Sequence, residues 1–108
     1  MLIIKNNRIY ITRGDSGTIQ ITFQTADMMP SPIGFDDVIT LTVKKLASDT
    51  TPLISIQADA SGQFSIAPED TKNLSAGIYL YDVQLVRDGN IYTVIPQNYF
   101  EIKEEITR

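Results

Sequence analysis

The acidic side chains come closest to a reactive arrangement. Asp36-Asp37 and Glu104-Glu105 are adjacent pairs, and two carboxylates can share acid and base roles, as in glycoside hydrolysis. Neighbours on a strand point to opposite faces, so neither pair converges on one bond. Glu104-Glu105 also reads as part of a solvated tail. Glu69, Asp70 and Asp82 could offer oxygen ligands to a cation. Calcium loops, however, repeat acids at alternate positions around a glycine bend, and that repeat is missing. The chain has no histidine and no cysteine, so Ser–His and Cys–His pairs, thiolate metal sites and disulfides are excluded. Arg13-Gly14-Asp15-Ser16-Gly17 has glycines but lacks the lysine and helix of a phosphate loop. The sequence thus offers no catalytic, cofactor-binding or metal-binding residue, and the expectation is a protein that is not an enzyme.

Two stretches could act in recognition. Arg13-Gly14-Asp15 is the tripeptide that integrins read. Its simpler role is a turn, with Gly14 and Gly17 leading the chain into the next strand. The irregular stretch 25–37 holds Met28, Met29, Pro30, Pro32, Ile33 and Gly34. Its two prolines forbid a central strand. Met28, Met29 and Ile33 can fold over the edge of the core or meet a partner, since methionine adapts to irregular surfaces.

The elements that would position these residues are strands. The longest pattern runs from Pro68 to Lys103. Tyr79, Tyr81, Val83 and Leu85 alternate with Ile78, Leu80, Asp82, Gln84 and Val86, which is the period of a strand. Asp88-Gly89-Asn90 supplies a tight turn. A return strand follows from Ile91, with Pro96 marking a bulge or a blunted edge. Pro68 opens a helical turn with Glu69 and Asp70 in its first positions, where carboxylates complement the helix dipole. Leu74 anchors that turn and Gly77 ends it.

Upstream, Leu2–Ile4 and Arg8–Thr12 form one interrupted edge strand, broken at Asn6-Asn7. Thr18–Gln24 alternates with Ile19, Ile21 and Phe23 inward. Val38–Lys45 does so with Ile39, Leu41 and Val43. Leu53–Ala58 and Gln63–Ala67 make a hairpin around Asp59-Ala60-Ser61-Gly62. The count is about seven strands with one short helical turn near residues 68–74. That pattern predicts an all-β fold, an immunoglobulin-like antiparallel β-sandwich, in a single domain over 1–108. Leu74 to Tyr81 matches the tyrosine corner of that fold: Tyr79 would bond back to upstream backbone and Tyr81 would take the usual cysteine position. The predicted core is Ile19, Ile21, Phe23, Ile39, Leu41, Val43, Phe64, Ile66, Tyr81, Val83 and Leu85.

Composition narrows the partners. A formal net charge of −4, with nine dispersed Lys and Arg, leaves no basic patch for nucleic acid. No apolar run approaches the ~20 residues of a membrane helix. Leu2–Ile4 is too short for the apolar region of an export signal, so the expectation is synthesis in the cytoplasm without a signal peptide. No small-molecule substrate is evident.

Three stretches carry a resemblance: Lys5-Asn6-Asn7-Arg8-Ile9-Tyr10-Ile11-Thr12-Arg13-Gly14-Asp15-Ser16, then Pro68 to Leu74 with Gly77 to Leu85, and finally Tyr92 to Pro96 leading to Phe100-Glu101-Ile102. They resemble a group of small phage and prophage proteins of Gram-positive bacteria. They are similar to the amino-terminal domains of baseplate upper proteins and related tail or fibre components. The resemblance implies a β-sandwich attachment module in the virion that contacts other virion proteins and carries no catalytic residue. A homo-oligomer formed through a strand edge or through Met28–Ile33 fits that role. The competing expectation is a cell-surface adhesion or carbohydrate-binding module, supported by Arg13-Gly14-Asp15 and the five tyrosines but lacking Trp.

Overall fold

The computed structural model describes residues 1–24 and 30–106, and it is all-β apart from one helical turn. Strands β1 (Leu2–Lys5) and β2 (Arg8–Thr12) form a hairpin. They are not the two halves of one interrupted strand, as expected. Asn6 and Asn7 both take left-handed φ, 52° and 63°, which reverses the chain in two residues. Strand β3 (Gly17–Gln20) is followed by a break at Ile21-Thr22 and by β4 (Phe23–Gln24), which pairs with β5 (Pro30–Ser31). The continuous Thr18–Gln24 strand is therefore split. Ile21 stays buried, but Phe23 is only half-buried against the core it was expected to join.

The predicted alternation holds best in β6 (Val38–Lys44) and in β9 (Gly77–Arg87). Ile39, Leu41 and Val43 are buried, as are Tyr79, Tyr81, Val83 and Leu85. Between them lie β7 (Ile54–Gln57), β8 (Gln63–Ile66) and the four-residue helix α1 (Pro68–Thr71). Proline at the first helical position and the Asp70 carboxylate, which accepts from the Ala67 N–H at 2.8 Å, start that turn. It stops at Thr71, short of the expected Gly77, which instead opens β9. Asp88 and Gly89, with φ of 53° and 78°, turn β9 into β10 (Asn90–Lys103). Pairing along β10 shifts between Thr93 and Ile95 and again between Ile95 and Asn98, so a bulge sits at Pro96, where a missing donor is tolerated.

The main sheet has six strands in the order β1-β2-β10-β9-β6-β7. Its pairs are antiparallel except one. β10 runs parallel to β2, with Phe100 beside Ile9 and Ile102 beside Ile11. That pair departs from the all-antiparallel expectation, and the described residues form ten strands where about seven were predicted. It also brings four side chains absent from the predicted core, Ile9, Ile11, Phe100 and Ile102, to its centre.

The expected Ile54–Ile66 hairpin does not form, because its two strands do not pair. β7 joins the main sheet on β6, while β8 pairs with β3 in a separate two-stranded sheet. The connecting turn explains the split. Asp59 Oδ1 accepts from the Ser61 N–H, the Ser61 hydroxyl and the Gln63 N–H. Beyond the turn, the Ala58 N–H bonds to Ile39 on one side, and the Gly62 carbonyl accepts from Ile21 on the other. The two arms are held by different neighbours, and the chain crosses between sheets. Inward side chains from both sheets then share one buried cluster.

Gly62 makes that crossing possible. Its φ is +85°, and a Cβ there would stand 2.6 Å from Ile33 Cδ1 and 2.7 Å from the Ile21 carbonyl oxygen. Gly62→Ala is expected to destabilise the fold by about 1–3 kcal/mol, from backbone strain and this contact. Urea unfolding checks it: the midpoint falls at constant m. An unchanged midpoint would mean that the turn relaxes freely.

Candidate binding surface

Most charged side chains that could have formed a site are committed to holding the fold. Arg13 reaches Glu105 through Nε at 2.9 Å and a second nitrogen at 3.3 Å, and it also donates to the Leu74 carbonyl. Glu105 is therefore not in a solvated tail, contrary to expectation. The Gly14 N–H donates to the hydroxyl of fully buried Thr71 at 2.8 Å, and Asp15 pairs with the Met1 ammonium. Arg13-Gly14-Asp15 is built into the fold at both charged residues.

Asp36 is exposed, while Asp37 makes a bidentate pair with Arg87 at 2.9 and 2.5 Å and accepts from the Gly34 N–H. The Arg87 guanidinium holds the Asp37 carboxyl below its ordinary pKa. Arg8 bonds Glu101 at 2.6 Å, lies over the rings of Tyr10 and Tyr99, and lowers the Glu101 pKa in the same way. Ile33 packs on the core, whereas Met28 and Met29 lie outside the described residues.

The cation candidates are not brought together. Glu69 is exposed, Asp70 caps α1, and Asp82 lies on the outer face of the main sheet. Among the described residues, no three acidic side chains converge as metal ligands do.

The outer face of the main sheet carries two features. The first is an apolar row three strands wide. Val38 on β6 faces Val86 on β9, and Val86 faces Ile91 on β10. Their exposures are 40%, 37% and 68%, and Phe35, in the nearby turn that Asp37 ties to Arg87, is 99% exposed.

The second is a polar groove of about 310 Å³ lined by Thr42, Lys44, Ala47, Leu80, Tyr81, Asp82, Gln84 and Gln97. Its floor is the β6–β9 ladder, where Thr42 faces Asp82 and Lys44 faces Leu80. Gln97 closes the other side from the β10 bulge. The alternation shows Thr42, Lys44, Asp82 and Gln84 pointing away from the core. The position of Gln97 depends on the register shift at the Pro96 bulge; the proline marks the irregularity, but not which side chain it delivers to the groove. No protein-family model and no curated protein matches this chain.

Proposed function

We propose that the chain is a non-enzymatic structural module of a phage or prophage particle, an attachment domain of a baseplate, tail or fibre that works through contacts with other virion proteins. The row Val38–Val86–Ile91 with Phe35 carries this reading, because clustered exposed apolar side chains are what protein interfaces use. The immunoglobulin-like arrangement belongs to the same proposal. Its support is the tyrosine corner: the Tyr79 hydroxyl donates to the Ser75 carbonyl at 2.6 Å, a few residues upstream as that motif requires. Adhesion through Arg13-Gly14-Asp15 is the weaker reading, since both charged side chains are already engaged.

Peptide mass spectrometry on purified particles from an induced prophage tests the proposal. Peptides of this chain in fixed proportion to the major capsid protein are the expected result. Complete particles that lack it, with the chain left free in the lysate, would overturn the structural role.

A further inference from the structure

Five polar side chains of the outer-face groove are left over by the fold. Thr42, Lys44, Asp82, Gln84 and Gln97 all line it, and none has a hydrogen-bond or ion-pair partner among the described residues. Arg8, Arg13, Asp37, Asp59, Asp70, Arg87 and Glu101 show the opposite pattern, each bonded within the fold. Lys44 and Asp82 form no ion pair with each other, although they sit diagonally across one ladder. An open concavity of this volume is at the lower end of the ~300–1,000 Å³ range of small-molecule sites.

The lining selects the ligand. An apolar ligand would strip water from five polar groups without replacing their bonds. An anion would meet the Asp82 carboxylate in the floor, and a divalent cation would find a single carboxylate with an ammonium nearby. Backbone pairing with a peptide is unavailable here, because the groove lies on a sheet face whose ladder bonds are already made. What remains is a neutral molecule with many donors and acceptors. A carboxylate accepts two hydroxyl protons, amides both donate and accept, and a threonine hydroxyl does either. Leu80 and Ala47 leave apolar surface for C–H groups.

We propose that this groove binds one ring of a neutral glycan, with Asp82, Gln84, Gln97 and Thr42 bonding its hydroxyls. The inference goes beyond the structural role and does not depend on it. Tyr81 turns its ring into the core, where it is buried, and offers no stacking face; with that and an open mouth, binding is weak, with Kd of roughly 1–10 mM.

The test is a ¹H–¹⁵N NMR titration of the protein with glucose, galactose and N-acetylglucosamine in turn, to about 100 mM. One or more of these sugars is expected to give saturable shifts confined to residues 42–47, 80–84 and 97, including the side-chain amides of Gln84 and Gln97. Asp82→Ala and Gln97→Ala are expected to weaken that binding at least ~10-fold, the loss of about one charged hydrogen bond, while keeping the dispersed spectrum of the folded protein. Gln57→Ala, at an exposed position on the edge strand β7, leaves it unchanged. Absence of saturable shifts with all three sugars, equal shifts in Asp82→Ala, or tighter binding of inorganic phosphate to the same residues would overturn the proposal. Particle proteomics reads the structural role separately, so failure of one leaves the other standing.

Discussion

Phe100→Ala is expected to cost about 3–5 kcal/mol of stability, the range for deleting a buried aromatic ring. Phe100 is 0% exposed and sits where the main sheet changes pairing mode. Its neighbour on one side is Ile9, in the parallel β2–β10 pair, and on the other Tyr79, in the antiparallel β9–β10 pair. Its ring meets that of Tyr81 edge to face, with centroids 6.3 Å apart. Alanine would leave a void against three strands at once, and paired backbones on both sides limit how far they can close on it. Against a total of about 5–15 kcal/mol for a domain of this size, the loss is large, and the melting temperature should drop by roughly 15 °C or more.

Urea unfolding of Phe100→Ala beside Phe35→Ala makes the measurement. Phe35 is almost fully exposed, so its truncation should shift stability by under ~0.5 kcal/mol. If Phe100→Ala does not fold, Phe100→Leu, which keeps part of the volume, should fold with a smaller loss. Equal effects at positions 35 and 100 would contradict the assigned core.

That contrast shows what could be read from the chain. Alternation assigns a side chain to a face, and it did so for Tyr79, Tyr81, Val83 and Leu85 and for Ile39, Leu41 and Val43. Local chemistry also marked the Asp88-Gly89 turn, the start of α1 at Pro68 and the Tyr79 bond to Ser75. Alternation does not name the neighbouring strand. The partners of β7 and β8 depend on bonds from Ala58 to Ile39 and from Ile21 to Gly62 that connect distant segments. The parallel β2–β10 pair joins residues about 91 apart, and Phe100 and Ile102 become central only through it. Phe23 packs only at the margin of the core, past a break after Gln20 that no proline or glycine announces.

The groove divides in the same way. The outward direction of Thr42, Lys44, Asp82 and Gln84 is a property of two strands. Bringing them together is a property of the β6–β9 register, and Gln97 arrives only with the bulge. The ion pairs that take Arg13 and Asp37 out of consideration span 92 and 50 residues. They are long-range facts about charges that look free in the sequence.

Tyr81 links this architecture to pH. Its side chain is 3% exposed, and its hydroxyl donates to the Asn7 carbonyl in the β1–β2 turn, joining β9 to a hairpin 74 residues away. Burial pushes its pKa up to about 12, above the ordinary value of about 10. The folded protein therefore holds this proton more tightly than the unfolded chain. The resulting stability is fully present below about pH 10 and is lost as pH rises toward about 12, where ionisation favours the unfolded state. Two pKa units correspond to close to 3 kcal/mol, of which about 2 kcal/mol should be gone by about pH 11.5.

Tyr81→Phe separates this loss from general alkaline effects. Near pH 8 the variant should be less stable than the wild type by about 1 kcal/mol, because the Asn7 carbonyl loses its donor. Phenylalanine cannot ionise, so the difference should shrink above about pH 10, vanish near about pH 10.7 and stand reversed by about pH 11.5. In the folded wild type, one tyrosinate absorbance step should lie near 12, and that step should vanish in the variant. Urea midpoints of the two proteins that run parallel across this range would show that the Tyr81 hydroxyl does not sit in the enclosed, bonded position described here.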